Sequence, residues 1–341
     1  MTSPRILFLK TLDNSIASGN PSITLLVETL CSRGYIVDER SWLTPDPLLG
    51  PLTLAILKTY DIVTFITCYE YNRHFDEFQS FVQNIVIPAR DAGVRIINAP
   101  GLVAWNAEKS YLQELHRDLG IDIPETVFIN LDDSNAKTSG TGVSSPAESE
   151  RRHIDKLTAL LETGNVVVKP SVSASATETY LLTPSHSADE IATTFNKVYS
   201  FTRALSASAS VMLQRYEPAI QNGEYSLVFL RGEYSHTMLK VPKSGDYRTQ
   251  EDFGARVRVL EEDKVPAMGK RVGEKVVEYV KDRFGGDVGY LRLDGVVRDG
   301  GQFVLIEAEM LEPWVYLDAE VVRREGRVVS WLGIDIETTS P

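Results

Sequence analysis

Cysteine is almost missing from this chain: Cys31 and Cys68 are the only two among 341 residues. They form neither a disulfide framework nor a metal-ligand spacing, so a reducing, intracellular setting is expected. Long apolar runs are missing as well, and none approaches the roughly 20 residues that a membrane helix needs. The opening "MTSPRILFLKTLDNS" has a short apolar run closed by Lys10, without the length or cleavage pattern of a signal peptide. Positive charge is in deficit, since 35 Lys and Arg stand against 47 Asp and Glu for a net charge of -12. That balance opposes a nucleic-acid surface, which needs a basic patch for phosphates, but permits one small anion in a locally positive cleft. GxSxG, CxxC and HExxH are all absent, and the "GTG" at 140–142 has no third glycine, preceding strand or following helix. No internal repeat is present. A cytoplasmic protein with neither membrane nor nucleic-acid partners is expected.

What is present is ordinary globular composition, 43% hydrophobic and 24% charged, long enough for two or three layered units. The first hundred residues alternate strand and helix signals. "RILFL" (5–9), "YIVDERSW", "DIVTFITCY" (61–69) and "RIINAP" (95–100) read as strands, and "PSITLLVETLCSRGY" (21–35) as a helix stopped by Gly34. This rhythm predicts a parallel sheet with helices on its faces. "WNAEKSYLQELHRDLG" predicts a helix capped by Asn106, with Tyr111, Leu112, Leu115 and Leu119 on one face and Gly120 at its end. After the strand "PETVFIN", the Ser-, Gly- and Thr-rich stretch over 134–153 reads as a long exposed loop. Strands at 165–169, 178–182 and 211–216, helices at 188–205 and 266–284, and two strand pairs near the end complete the pattern.

The last hairpin, "DVGYLRLDGVV" followed by "QFVLIEAEM", carries the chemistry. An Asp299-Gly300 turn of two residues sets Asp294 opposite Leu305 and Arg292 opposite Glu307. Arg292, Asp294, Glu307 and Glu309 then share one face, while Leu291, Leu293, Val304 and Ile306 share the other. Three carboxylates repel one another unless a cation sits among them, and oxygen-only ligands suit Mg²⁺ or Mn²⁺. The alternative is a solvated face with charge pairs. A one-residue slip of register would put half the set into the core.

Lysines give a second signal. Lys169 follows three valines in "NVVVKPSVSASATETYLL", Lys109 lies in the first turn of the Asn106-capped helix, Lys240 lies in "HTMLKVP", and Arg248 in "GDYRTQ". Each alone is an ordinary snorkelling or solvated cation. A nucleoside triphosphate with Mg²⁺ needs several of them together.

In order along the chain, "WNAEKSYLQEL", "VVVKP" with its small-residue loop, "MLQRYEP", "GEYSLVFLRGEYSHTMLKVPKSGDYR" and "LRLDGVV…LIEAEMLEP" resemble the ATP-grasp superfamily. The likeness is strongest to glutathione-synthetase-like ligases and the D-cycloserine-forming cyclo-ligase, over about residues 95–318. It implies an α/β (α+β) fold class in three parts. These are an N-terminal parallel βαβ domain (1–105), a central lid subdomain (106–217, with a flexible loop at 134–153) and a C-terminal antiparallel-sheet catalytic subdomain (218–341). It also implies ATP and Mg²⁺, with two ions and Mn²⁺ as an option. Lys109 and Lys169 match lysines that reach ATP phosphates, and Ser173 and Ser175 lie in the loop that closes over them. Gln214, Arg215, Tyr216 and Glu217 match the adenine hinge, and Glu224 the acid on the ribose hydroxyls. Asp294, Glu307 and Glu309 match the metal ligands, with Glu309 where relatives often carry Asn. Arg292 and Arg248 match arginines near the transferred phosphate and the substrate.

The implied activity is that of an ADP-forming carboxylate–amine ligase. The γ-phosphoryl of ATP passes to a substrate carboxylate, and an amine displaces phosphate from the acyl phosphate. The substrates are small carboxylates and amines of amino-acid type, joined within one molecule or between two, in a chain whose relatives are often homo-oligomers. A phosphotransferase and a non-catalytic nucleotide-binding protein are the alternatives. Tyr69, Tyr71 and His74 in "TCYEYNRHF", together with His236, Lys240 and Glu312, are the candidate substrate contacts. Packing or surface roles are the competing explanation for Tyr71 and His74.

Overall fold

The computed structural model describes residues 3–11, 20–45, 47–131, 146–286, 288–324 and 327–333. The chain divides into two compact units, Met1–Ala107 with Ala219–Pro341, and Glu108–Pro218. Among the described residues no helix is long and apolar enough to cross a membrane.

The first unit opens with β1 (Arg5–Lys10), α1 (Pro21–Ser32), β2 (Ile36–Ser41), α2 (Leu54–Leu57) and β3 (Ile62–Thr64). A helical run follows through Tyr71–His74, α3 (Phe75–Phe81), a π turn at Val82–Val86 and α4 (Ile87–Asp91); then come β4 (Arg95–Ile97) and α5 (Pro100–Asn106). The four strands pair in parallel in the order β2-β1-β3-β4. Ile6 to Leu9 are fully buried, as a parallel strand covered on both faces requires. The strand expected over 61–69 is cut to three residues. The chain turns away after Thr64, with the Cys68 amide closing back on the Phe65 carbonyl at 2.8 Å and Glu70 in the left-handed region.

The second unit holds α6 (Tyr111–Leu119), β5 (Thr126–Asn130), α7 (Pro146–Leu161), β6 (Val166–Pro170), β7 (Tyr180–Leu182), α8 (Ala188–Leu205) and β8 (Ser210–Arg215). Its antiparallel sheet runs β5-β8-β6-β7. Val166, Val168, Leu182, Val211 and Leu213 pack on Leu157, Leu161, Phe195 and Val198 of α7 and α8. Two expectations change here. Residues 146–153, read as flexible loop, are the first half of α7, whose Leu157, Leu160 and Leu161 bury against the sheet and so stabilise a polar-looking segment; 134–145 lie outside the described residues. Asn106 ends α5 instead of capping the next helix, which starts at Tyr111 after Ser110, so Lys109 sits in the turn between helices. The Asn106 amide is engaged elsewhere, donating to the Ala308 carbonyl at 2.7 Å and accepting from the Met310 amide at 2.6 Å. Gly120 does end α6, with φ +63° and its N–H on the His116 carbonyl.

The chain then returns to the first unit with β9 (Glu224–Leu230), β10 (Glu233–Val241), β11 (Arg256–Val259), α9 (Ala267–Phe284), β12 (Tyr290–Val297), β13 (Phe303–Glu309) and α10 (Glu320–Arg324). This sheet is antiparallel, in the order β11-β10-β9-β12-β13. One face lies on α9, where Gly269 and Gly273 let the helix approach Leu227, Phe229 and Phe303. On the other face Val228, Leu230 and Tyr290 join Ile6, Phe8, Ile62, Ile97, Val315 and Trp331 in one core. Asn98, just past β4, joins the two sheets. Its side chain donates to the Tyr290 and Met310 carbonyls at 2.8 and 2.7 Å and accepts from the Gly289 amide at 2.7 Å.

The β12–β13 register differs from the expected one in two compensating ways. The connection has three residues, with Val297 paired to Phe303 and the Arg298 amide on the Gln302 carbonyl. A bulge then leaves Ile306 unpaired, so that Gly295 faces Leu305 but Asp294 faces Glu307 and Arg292 faces Glu309. The four charged residues therefore do share a face. Val304, paired with Val296, moves to that face, and Leu305 takes its place on the apolar side.

Candidate functional site

The ladder registers line up rows of side chains across the antiparallel sheet. Lys240 pairs with Glu224; Met238, Ser226, Asp294 and Glu307 form the next row; His236, Val228, Arg292 and Glu309 form the third. Directly paired residues share a face, so these rows make one charged surface, continued below by Leu230 and Tyr290 in the core. Alternation explains the sequence pattern. Even positions of β9, of β12 and of β10 from His236 onward point to this face and odd ones to α9, while a register shift before His236 turns Tyr234 to the α9 side with Phe229.

Asp294 is the hub. Arg292 donates to it from Nε at 3.0 Å and from Nη2 at 2.8 Å, the Ser226 hydroxyl donates to Oδ1, and Lys240 Nζ stands 3.5 Å away. Burial by itself would raise the Asp294 carboxyl, but Arg292 and Lys240 hold it down at about 2. Glu309 pairs with Arg292 Nη2 at 2.8 Å. Its carboxyl is pushed up to about 7 by burial and by the like charges of Glu307 and Asp294, against the pull of Arg292. Glu224 is raised by burial, while Lys240 opposes that shift from 3.3 Å and the Thr249 hydroxyl donates to it at 2.9 Å. Lys240 and Arg292 are both buried, and the carboxylates around them outweigh desolvation and keep them charged.

Two cations thus stand among four carboxylates, an excess of negative charge in a buried place. One oxygen each of Asp294, Glu307 and Glu309 lies within 4.8 Å of the others. An all-oxygen set of this size fits Mg²⁺ or Mn²⁺ and not a thiolate- or imidazole-seeking metal.

The other candidates in this unit divide. Tyr69 is half-buried, accepts from Asn20 Nδ2 at 3.0 Å, and has its hydroxyl pushed up by burial and by Glu312, with Glu309 adding to it. Tyr71 is buried, donates to the Ala107 carbonyl at 3.3 Å and packs on Phe78; the charges of Glu312, Glu309 and Glu307 all reach it. His74 is half-buried at the end of the helical turn. His236 is buried, with Nδ1 at 3.0 Å from the Ser235 hydroxyl, in the row of Arg292 and Glu309. Glu312 is half-buried just after β13. Arg248 lies in the loop between β10 and β11, paired with Asp246.

In the second unit, Val167 and Lys169 face away from α7 and α8. Val166 and Val168 fill the core, and Lys169 shares the opposite face with Gln214, whose Oε1 accepts from its Nζ at 3.0 Å. This explains a lysine at the end of a valine run. Lys109 is buried and donates to the Ser173 carbonyl at 2.5 Å, which ties it to the small-residue loop. The Ser173 hydroxyl is turned into that loop, donating to the Pro170 carbonyl at 3.1 Å, whereas Ser175 and Ala176 stand in the left-handed region with φ of +51° and +55°. Arg215 points to the helix side and donates to the Leu160 carbonyl at 2.7 Å. The Tyr216 amide donates to the Asn165 carbonyl at 2.9 Å, and Glu217 is buried.

Three residues beside the charged face escape a sequence reading. Ser226 was legible in principle, since it follows Glu224 by two in a strand and shares its face. Thr249 and Tyr316 carried no local signal. Tyr316 adopts φ +48°, and Lys240 and Arg292 act on its hydroxyl.

No protein-family model matches the sequence, and no curated protein matches it. Solved structures do. D-cycloserine synthetase is 21% identical and superposes with a TM-score of 0.67, over 96% of this chain and 99% of that one. D-alanine–D-alanine ligase from Bacillus anthracis complexed with ATP is 14% identical, with a TM-score of 0.59 over 96% and 92% of the two chains. A RimK domain ATP-grasp protein from Sphaerobacter thermophilus is 14% identical, with a TM-score of 0.55 over 96% and 97%. This chain has the ATP-grasp fold. At these identities the likeness concerns the fold, which accounts for all three sheets and for the parallel-then-antiparallel order expected from the motifs. Within the ATP-grasp fold the charged face is the chemically distinctive surface of the first unit.

Proposed function

We propose that the protein is an ATP-dependent carboxylate–amine ligase acting on small, amino-acid-like substrates and releasing ADP and phosphate. The carrying observation is the Asp294, Glu307 and Glu309 triad beside Arg292 and Lys240 in an ATP-grasp fold. The solved structures it resembles include a D-cycloserine synthetase and a D-alanine–D-alanine ligase, which supports a ligase over a kinase.

Asp294, Glu307 and Glu309 would hold Mg²⁺, with Mn²⁺ as a substitute. A metal bound there would neutralise the triphosphate and favour an in-line transfer. Arg292, kept charged by Asp294 and Glu309, stabilises negative charge on the transferring phosphoryl group and on the tetrahedral adduct that follows. Lys240 neutralises a second oxygen of the same region. Arg248 serves the substrate or phosphoryl oxygens from its loop. Lys109, Lys169 and the 171–178 loop take phosphate oxygens through ammonium groups, hydroxyls and backbone N–H groups. The backbone of Gln214 to Glu217 takes adenine, and Glu224 the ribose hydroxyls. Tyr69, Tyr71, His74, His236 and Glu312 are the proposed substrate wall. A substrate carboxylate oxygen attacks the γ-phosphorus as ADP leaves with the bonding pair, giving an acyl phosphate; the amine then attacks its carbonyl carbon, phosphate leaves with the bonding pair, and the surplus amine proton passes to solvent. No side-chain nucleophile is needed.

The test is incubation with Mg²⁺, ATP and a panel of amino acids, followed by phosphate, ADP and mass measurements. Substrate-dependent phosphate release with a new amide is expected. A stable phosphorylated product would make it a phosphotransferase, and absence of ATP binding in calorimetry would sink the nucleotide reading altogether.

A further inference from the structure

The loop between β10 and β11 contains an arginine whose guanidinium is used along one edge only. Asp246 accepts from Arg248 Nε at 3.0 Å and from Nη2 at 2.7 Å, a bidentate pair. Asp246 is itself fixed, because its Oδ1 accepts from the Tyr247 and Arg248 amides at 2.8 and 3.0 Å. Its amide donates to the Lys243 carbonyl at 2.9 Å and its carbonyl accepts from Gln221 Nε2 at 3.0 Å. The Phe253 ring lies against the guanidinium, 3.7 Å from Cζ to the ring centroid. Among the described residues none accepts from Arg248 Nη1.

The next residue pins this assembly to the charged face. The Thr249 hydroxyl donates to Glu224 Oε1 at 2.9 Å, and Glu224 pairs with Lys240, which also reaches Asp294. Arg248 therefore starts one residue from the carboxylate cluster, with its direction set before any ligand arrives. A surface ion pair that only stiffened a loop would not need an aromatic platform beneath the arginine or a hydroxyl anchor into a buried carboxylate.

We propose that Asp246 and Phe253 are positioning residues that hold Arg248 so that its Nη1 edge meets an oxyanion of the reacting molecules. That oxyanion is the transferring phosphoryl or the substrate carboxylate. The proposal rests on the ligase reading above. A guanidinium already held on one edge and one face loses less side-chain freedom on meeting the anion, and its planar fork reaches two oxygens at a defined angle.

The test uses the full chain and measures binding of orthovanadate, a phosphoryl mimic, in the presence of Mg²⁺ and ADP, relative to each protein's affinity for Mg²⁺ and ADP alone. Acetate replaces vanadate in a second arm. Arg248→Lys and Asp246→Asn are expected to weaken vanadate about tenfold, Phe253→Leu about threefold, and Asp246→Glu to recover most of the loss. A loss seen with acetate alone assigns Arg248 to the carboxylate. Wild-type-like oxyanion binding by Asp246→Asn, with Arg248→Lys impaired, overturns the positioning role. Unchanged binding of both anions by Arg248→Lys overturns the anion contact. If the wild type fails to bind Mg²⁺ and ADP, the nucleotide reading falls separately. Inorganic phosphate titrated against the Arg248 Nε–H resonance then decides this proposal: movement that Asp246→Asn abolishes supports it, and a stationary signal refutes it.

Discussion

Asp294 stands directly across the β12–β13 ladder from Glu307 because Ile306 bulges out of the pairing between them and the turn. The bulge lets Leu305 point to the apolar side and Glu307 to the charged side although the two residues are two apart. In an unbroken strand they would share a face.

The two carboxylates of this pair differ in what surrounds them, so their amides should behave differently. Glu307 is half-buried, while Asp294 is buried among Arg292, Lys240 and Ser226. Glu307→Gln is expected to lower the proposed ligase turnover by about 100-fold or more with little change in melting temperature. Asp294→Asn should abolish turnover and also destabilise the fold by about 3 kcal/mol, since it takes one carboxylate partner from each of two buried cations. Denaturant unfolding beside a phosphate-release assay checks both. Near-normal turnover in Glu307→Gln would remove it from the proposed metal site.

A pH dependence follows from Glu309, whose carboxyl is pushed up to about 7, by burial first and then by Glu307 and Asp294 against Arg292. An unfolded glutamate titrates near ~4.3, so folding takes up a proton between the two values. This contribution is complete below the unfolded value and is lost as pH rises through about 7. A divalent cation binds the ionised form, so the melting-temperature increase given by Mg²⁺ should grow between about pH 6 and about pH 8. Melting curves with and without Mg²⁺ measure it, and an increment that does not vary with pH would contradict the assignment.

Close packing of α9 can be tested at Gly273. A Cβ there would lie 2.1 Å from Phe229 Cζ, inside a fully buried contact. Gly273→Ala is expected to cost about 1–3 kcal/mol despite the better helix propensity of alanine. Equal or greater stability of the variant in urea unfolding would show that the helix sits further from the sheet.

The loop after Lys169 carries backbone strain at two residues that are not glycine. Ser175 and Ala176 both have positive φ, a conformation costing a non-glycine residue roughly 1–2 kcal/mol. Part of that gain is offset by the extra freedom of glycine in the unfolded chain, so Ala176→Gly should stabilise the protein by about 0.5 kcal/mol. Differential calorimetry would read it, and a clear loss of stability would refute the strained geometry.

The parallel sheet, helices α1, α8 and α9 and the β12–β13 hairpin were legible because each is written in local period: a buried aliphatic run in β1, a 3.6-residue stripe in α9, alternation in β12. Helix α8 was bounded to the residue, and in the structure Ser187 and Glu190 form a capping box at its start. Asn106 shows the opposite case. The same residue type that caps helices here satisfies backbone groups of Ala308 in β13 and of Met310 just past it, about 200 positions later. Helix α7 was hidden because its polar first half is held by leucines whose partners lie on other elements.

What the sequence by itself determined is which strand faces are charged, since carboxylates, lysines and arginines alternate there with apolar residues. What only the tertiary structure decided is their neighbours. The Ile306 bulge, the Thr249 anchor on Glu224 and the Asp246 hold on Arg248 arise from pairings between segments distant in sequence or from loop geometry with no period. Local pattern selects a face, but closure of the chain on itself sets distances, and electrostatics depends on distances.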